Sequence, residues 1–79
     1  MRPVAFQWVA MYSMGMFKVV VTNGMGGWDQ VGLPVATLRQ AERALEAAIQ
    51  AEVRANAARL GVPVRGLRAR EHRIHAAGE

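Results

Sequence analysis

The residues able to do chemistry are few and lie far apart. The chain has one serine, Ser13, one aspartate, Asp29, two histidines, His72 and His75, and no cysteine. A nucleophile needs a base within hydrogen-bond reach and a third group that orients that base. Ser13 and the two histidines stand near opposite ends of the sequence, so no such set is legible and no catalytic residue is assigned. His72 and His75 have Glu71 and Glu79 near them, but two imidazoles without cysteine or a nearby aspartate do not make a recognisable metal set. Gly24 and Gly26 open a dinucleotide-type spacing, yet the third glycine would fall at position 29, which is Asp29, and no helix begins there. The chain reads as a non-enzyme with no cofactor and no metal.

Charge offers more. Ten basic residues against six acidic ones give a net charge of +4, and all the arginines but Arg2 follow Leu38. Arg65, Arg68, Arg70 and Arg73 crowd into one short stretch and are the candidate phosphate contacts, since each ion pair with a polyanion releases counterions. No aromatic residue is interleaved with them, so base-specific reading is not expected. Residues 65–79 are expected as a basic C-terminal tail beyond a single domain at 1–64.

These groups have to be positioned by very little protein. A chain of 79 residues forms one small domain and buries only about 60 to 65% of the surface its unfolded form exposes. Without cysteine, neither disulfides nor a Cys-ligated zinc can reinforce it. With 52% hydrophobic residues it is too apolar for a disordered chain, and apolar surface is left over once a thin core is filled. The uncharged run from Pro3 to Phe17 is interrupted by Gln7, Ser13 and Gly15, and Lys18 ends it short of the ~18 to 20 residues a membrane span needs. It has no clear signal-peptide cleavage site. A cytoplasmic protein without membrane contact is expected.

Residues 4–22 are rich in β-branched and aromatic side chains, which suit a pleated surface. Ser13-Met14-Gly15 interrupts them and predicts a hairpin joining strands at about 4–12 and 16–22. In that register Val9 faces Val19, Met11 faces Phe17 and Gln7 faces Val21. A single helix covers one face of a small sheet, so Val9, Met11, Phe17, Val19 and Val21 are expected in the core. The opposite face, with Phe6, Trp8, Tyr12, Lys18 and Val20, is expected to be partly wet and to offer a partner site. Asn23 to Gly27 reads as a loop, and Trp28 to Val35 as a third short strand in which Pro34 demands an edge or a strand end.

Thr37 and Gln40 fit a capping box that starts a helix running to Leu60, where Gly61, Val62 and Pro63 stop it. Leu38, Ala41, Leu45, Ile49, Val53 and Leu60 form one stripe, expected to pack on the sheet. Arg39, Arg43, Glu46, Gln50 and Arg54 form a second, with Arg43 expected to pair with Glu46. Ala44, Ala47, Ala48, Ala51, Ala55 and Ala58 form a third, smooth enough to admit a partner helix. After Pro63 the pattern admits either a short strand at Val64 to Arg68 or a short helix through Leu67 and Ile74.

Thr37, Gln40, Ala41, Ala48 and Ile49 resemble the helix pattern of HicB-like antitoxin domains, and the Gly61 to Val64 exit fits that family's β-β-β-α-β order. The resemblance implies a small α+β domain with antitoxin character. In architecture the chain is also similar to small phage-encoded anti-CRISPR-type inhibitors, which carry no catalytic site and occupy a surface of a Cas complex. The expected fold is α+β, a small antiparallel sheet packed against one long α-helix, with a short C-terminal strand or helix. The expected function is that of a binding protein masking a larger protein or ribonucleoprotein complex, with Trp8, Tyr12, Lys18 and Trp28 as anchors and Arg39, Arg43 and Arg54 as a charged rim. A nucleic-acid-binding accessory protein working through the arginine tail is the alternative. The hairpin and the alanine face also admit a homodimer.

Overall fold

The computed structural model describes residues 16–77. They form β1 (Phe17–Thr22), β2 (Trp28–Val35), α1 (Leu38–Leu60) and β3 (His72–Ala76). The strands make an antiparallel sheet in the order β2-β1-β3, covered on one face by the helix. This is the expected α+β architecture, and the C-terminal element is a strand.

Strand β1 is the centre of the sheet. It pairs with β2 along one edge, Thr22 opposite Trp28 and Val19 opposite Val31, and with β3 along the other, Phe17 opposite Ala76 and Val21 opposite His72. Both hydrogen-bonding edges of β1 are therefore taken, which leaves none for the expected pairing of residues 4–12 with 16–22. The first strand and the loop of that hairpin lie outside the described residues. The expectation of one dry and one wet face also needs correction. Val19 and Val21 are buried on the helix side, and Val20 is only 2% exposed although it points the other way. Three consecutive valines are what a strand covered on both faces requires.

Strand β2 ends as its proline demands. Val31 opposes Val19 but Val35 opposes Phe17, so β2 carries two extra residues between these pairs. Gly32 takes a left-handed φ of 73° at this irregularity, and the Gln30 side-chain amide donates to its carbonyl at 2.9 Å. Pro34 falls there on an edge strand, where a missing N–H is tolerated.

The helix begins and ends on the predicted residues. The Gln40 N–H donates to Thr37 Oγ1 at 3.1 Å, and Gln40 Oε1 accepts from the Thr37 and Ala36 N–H groups at 3.1 Å each. At the far end Gly61 adopts φ 69°, and the N–H groups of Gly61 and Val62 both donate to the Ala57 carbonyl. Thr37→Ala is expected to cost about 1 kcal/mol, lowering the melting temperature by roughly 4 to 8 °C. Thermal unfolding followed by circular dichroism checks this, and an unchanged midpoint would show the cap to be dispensable.

Packing selects a narrower stripe than expected. Ala41, Val53 and Ala57 are buried and Leu45 and Ile49 half-buried, whereas Leu38 and Leu60, at the two ends, are 51% and 54% exposed. A 23-residue helix is about 34 Å long and outruns strands of five to eight residues, so its ends overhang the sheet. Ala57 stands in none of the expected stripes, yet it is 6% exposed, and its carbonyl accepts the Gly61 and Val62 N–H groups that close the helix.

The returning segment, residues 61–71, leads into β3. The sequence pattern makes 65–79 a basic tail, with either a short strand at Val64 to Arg68 or a short helix through Leu67 and Ile74. Residues 72–76 instead form the third strand, where Ile74 opposes Val19 and His72 opposes Val21. The basic segment is thus built into the domain, because β1 needs a second neighbour and these residues alternate suitably.

Candidate functional site

The sheet face turned away from α1 gathers side chains from three strands. The register puts Lys18, Val20 and Thr22 of β1 there, with Trp28 and Gln30 of β2 and Arg73 and His75 of β3. The Arg73 guanidinium carbon lies 4.7 Å from the centre of the Trp28 ring, and the His75 ring meets it edge-on at 5.6 Å with a 66° interplanar angle. Trp28 and its two partners sit on opposite edge strands, about 9.6 Å apart in a sheet spaced at 4.8 Å. Their side chains therefore meet across the outer face of β1. Arg73 is steadied by Glu71, 2.8 Å away, though both side chains are more than half exposed and that pair alone adds little. The ring contact is worth about 0.5 to 1 kcal/mol at such a site.

Arg70 has a different role from the one its sequence position suggested. Its Nε and Nη2 donate to Glu52 Oε1 at 3.0 and 2.7 Å, its own N–H donates to Glu52 Oε2, and Nη1 reaches the Thr22 carbonyl at 3.4 Å. The Glu52 side chain is only 15% exposed. Hydrogen bonding from Arg70 holds the Glu52 carboxyl below its ordinary range, against a smaller upward push from burial. The same bond pushes Arg70 further up. An arginine so engaged ties the returning segment to the helix and to the end of β1, and is not available to phosphate.

The other candidates remain on the surface. Arg39, Arg43 and Arg54 on the helix and Arg65 and Arg68 on the returning segment are exposed. Among the described residues, the carboxylates within 4.0 Å of an arginine are Glu52, on Arg70, and Glu71, on Arg73. The expected Arg43 to Glu46 pair is not formed; Glu46 instead accepts from the Gln50 side-chain amide at 3.4 Å. Trp8 and Tyr12 lie outside the described residues. Lys18 and Trp28 share the outer sheet face, while Arg39, Arg43 and Arg54 belong to the helix on the opposite side of the sheet.

Described residues line two hollows beside the helix. One, of about 570 Å³, lies between α1 and the returning segment, floored by Ile49, Val53, Val64 and Leu67 with Arg68 on its wall. The other, of about 450 Å³, lies where Ala48, Ala51 and Ala55 overhang Val21 and Val31. The alanine stripe is thus split, with Ala44 and Ala48 half-buried and Ala47, Ala51, Ala55 and Ala58 exposed.

Two weaker motifs are also placed. In the loop after β1, the N–H groups of Met25 and Gly27 donate to Asn23 Oδ1, and that of Gly24 to Thr22 Oγ1, so these donors close the turn on itself. His72 and His75 fall on opposite faces of β3, as any i, i+3 pair on a strand must. His72 lines both hollows and its Nδ1 is 2.8 Å from the Arg70 carbonyl. His75 was not foreseen as a partner of Trp28, nor Glu52 as a partner of Arg70. Both depend on the return path of the chain, for which the local pattern carries no signal.

No protein-family model matches the chain, and no curated protein or solved structure matches it significantly. The five positions that resemble the antitoxin helix all have structural duties. Thr37 and Gln40 make the capping box, Ala41 is fully buried, and Ala48 and Ile49 are half-buried. A capped helix lying on a sheet needs such residues at such spacing. No helix among the described residues is long and apolar enough to cross a membrane.

Proposed function

We propose that the chain is a non-enzymatic binding protein that masks a surface of a larger protein or ribonucleoprotein complex in the cytoplasm, in the manner of anti-CRISPR-type inhibitors acting on a Cas effector. One observation carries the reading. Among the described residues the buried apolar side chains are four valines and two alanines at most 8% exposed, none of the large ones is fully buried, and Met25, Leu33, Leu38, Leu60, Val62 and Val64 are 44 to 89% exposed. Apolar surface in this proportion suits a domain that completes its burial against a partner. The tagged protein is expected to retrieve one stoichiometric protein or particle from host lysate, with or without nuclease. Saturable turnover in an unbiased metabolite screen would overturn the non-enzymatic reading.

A second reading rests on the outer sheet face. An aromatic ring against the Arg73 guanidinium and the His75 ring offers stacking surfaces and positive charge together, which is what a single strand of nucleic acid uses. Capture that is lost on nuclease treatment and falls steeply with salt would select this reading over the first.

A further inference from the structure

We infer that the hollow between α1 and residues 61–71 receives an acidic amphipathic segment of the partner, its aliphatic side chains on the floor and its carboxylates on the arginine rim. This rests on the proposed binding role and adds the chemistry of what is bound. The floor is aliphatic, made by Ile49 and Val53 of the helix and Val64 and Leu67 of the returning segment. Its volume of about 570 Å³ falls within the ~300 to 1,000 Å³ range of formed binding sites. It contains no Phe, Tyr or Trp on which a base would stack, and the one ring in its lining, His72, is held through Nδ1 at 2.8 Å from the Arg70 carbonyl, so a nucleic acid would leave the aliphatic floor unused.

The rim is cationic and its carboxylates are spoken for. Arg68 lines the hollow, and the exposed Arg65 is the neighbour of the lining residue Val64. Neither has a carboxylate within 4.0 Å among the described residues. Of the acids nearby, Glu52 is held by Arg70, Glu71 by Arg73, and Glu46 accepts from Gln50. A basic or neutral segment would leave these arginines facing an uncompensated interface, whereas Asp and Glu flanking Leu or Ile would pair with them. The Glu52–Arg70 pair also fixes the returning segment on the helix, so the hollow is formed before anything enters it.

An unbiased selection tests this, using the whole protein against a display library of random peptides of about 16 residues. Recovered peptides are expected to carry aliphatic residues at helical spacing with Asp or Glu beside them. Their affinity is expected to fall about tenfold with Arg68→Glu and with Val64→Asp, and to be unchanged by Glu42→Gln, an exposed position near the start of the helix and outside the hollow. Circular dichroism confirms the fold of each variant, and Arg65→Ala with Arg68→Ala, expected to weaken binding in the same direction, serves if the charge reversal unfolds the chain. Basic or carboxylate-free peptides, no recovered peptide, or affinities unchanged by the groove variants would each overturn the assignment. A lysate partner retained by Arg68→Glu and Val64→Asp alike would remove the groove and keep the binding role. The absence of any stoichiometric partner would remove the role itself.

Discussion

Val20→Asp is expected to leave the domain unfolded at 25 °C. Val20 lies on the face of β1 away from the helix, where a one-sided sheet would tolerate a carboxylate. Here it is 2% exposed, on the face where Trp28 meets Arg73 and His75 across the strand. Burying an aspartate there costs more than about 4 kcal/mol, close to the whole stability of a domain this small. Trp28→Ala acts on the same layer more mildly. The half-buried ring is expected to contribute about 2 to 3 kcal/mol, roughly 10 to 20 °C in melting temperature. Far-ultraviolet circular dichroism and a urea titration measure both. A folded Val20→Asp protein with wild-type stability would show that the outer layer does not close over β1.

The second large effect concerns acid. Glu52 has its carboxyl held below the ordinary value of 4.5 by the Arg70 hydrogen bonds. A carboxyl whose pKa is depressed on folding contributes stability that is fully present above its unfolded value and lost as pH falls through its folded one. Wild-type stability is therefore expected to decline below about pH 4.5, as Glu52 protonates and Arg70 loses its anion. Glu52→Gln is expected to cost about 1 to 2 kcal/mol at neutral pH and to flatten that acid limb, since the amide has no charge to lose. Urea midpoints measured from pH 3 to 7, on the order of one per pH unit, decide the matter. If the variant keeps the wild-type slope, the carboxylate responsible is another one.

Much of the fold was legible because it is set locally. The limits of β2 follow from a loop of small residues before it and Pro34 near its end, and the helix from Thr37, Gln40 and Gly61. What escaped is set by distant neighbours. The β-rich pattern at 16–22 marks a strand, but which strands lie beside it is decided by residues 28–35 and 72–76 and not by the adjacent loop. The site divides in the same way. The period of two put Lys18 on one face with Val20 and Thr22, and Trp28 joins them only through its pairing with Thr22, while Arg70 was read as a phosphate contact because its carboxylate, Glu52, lies on another element. The stripe of Leu38 and Leu60 failed because helical period gives a face and not how much of its length the sheet can cover.

The order of the strands has a consequence for the making of the protein. During synthesis β1, β2 and α1 emerge before β3, so for a time the three central valines sit in a two-stranded ribbon with one edge open. Closing it means joining Phe17 to Ala76 across nearly the whole described chain, a slow contact of high sequence separation. An open edge of β-branched residues is the kind of surface on which nascent chains pair wrongly. The Glu52–Arg70 pair, two residues before β3, brings the last strand to the vicinity of that edge. Docking of the final strand is thus the step that removes this edge from the growing protein.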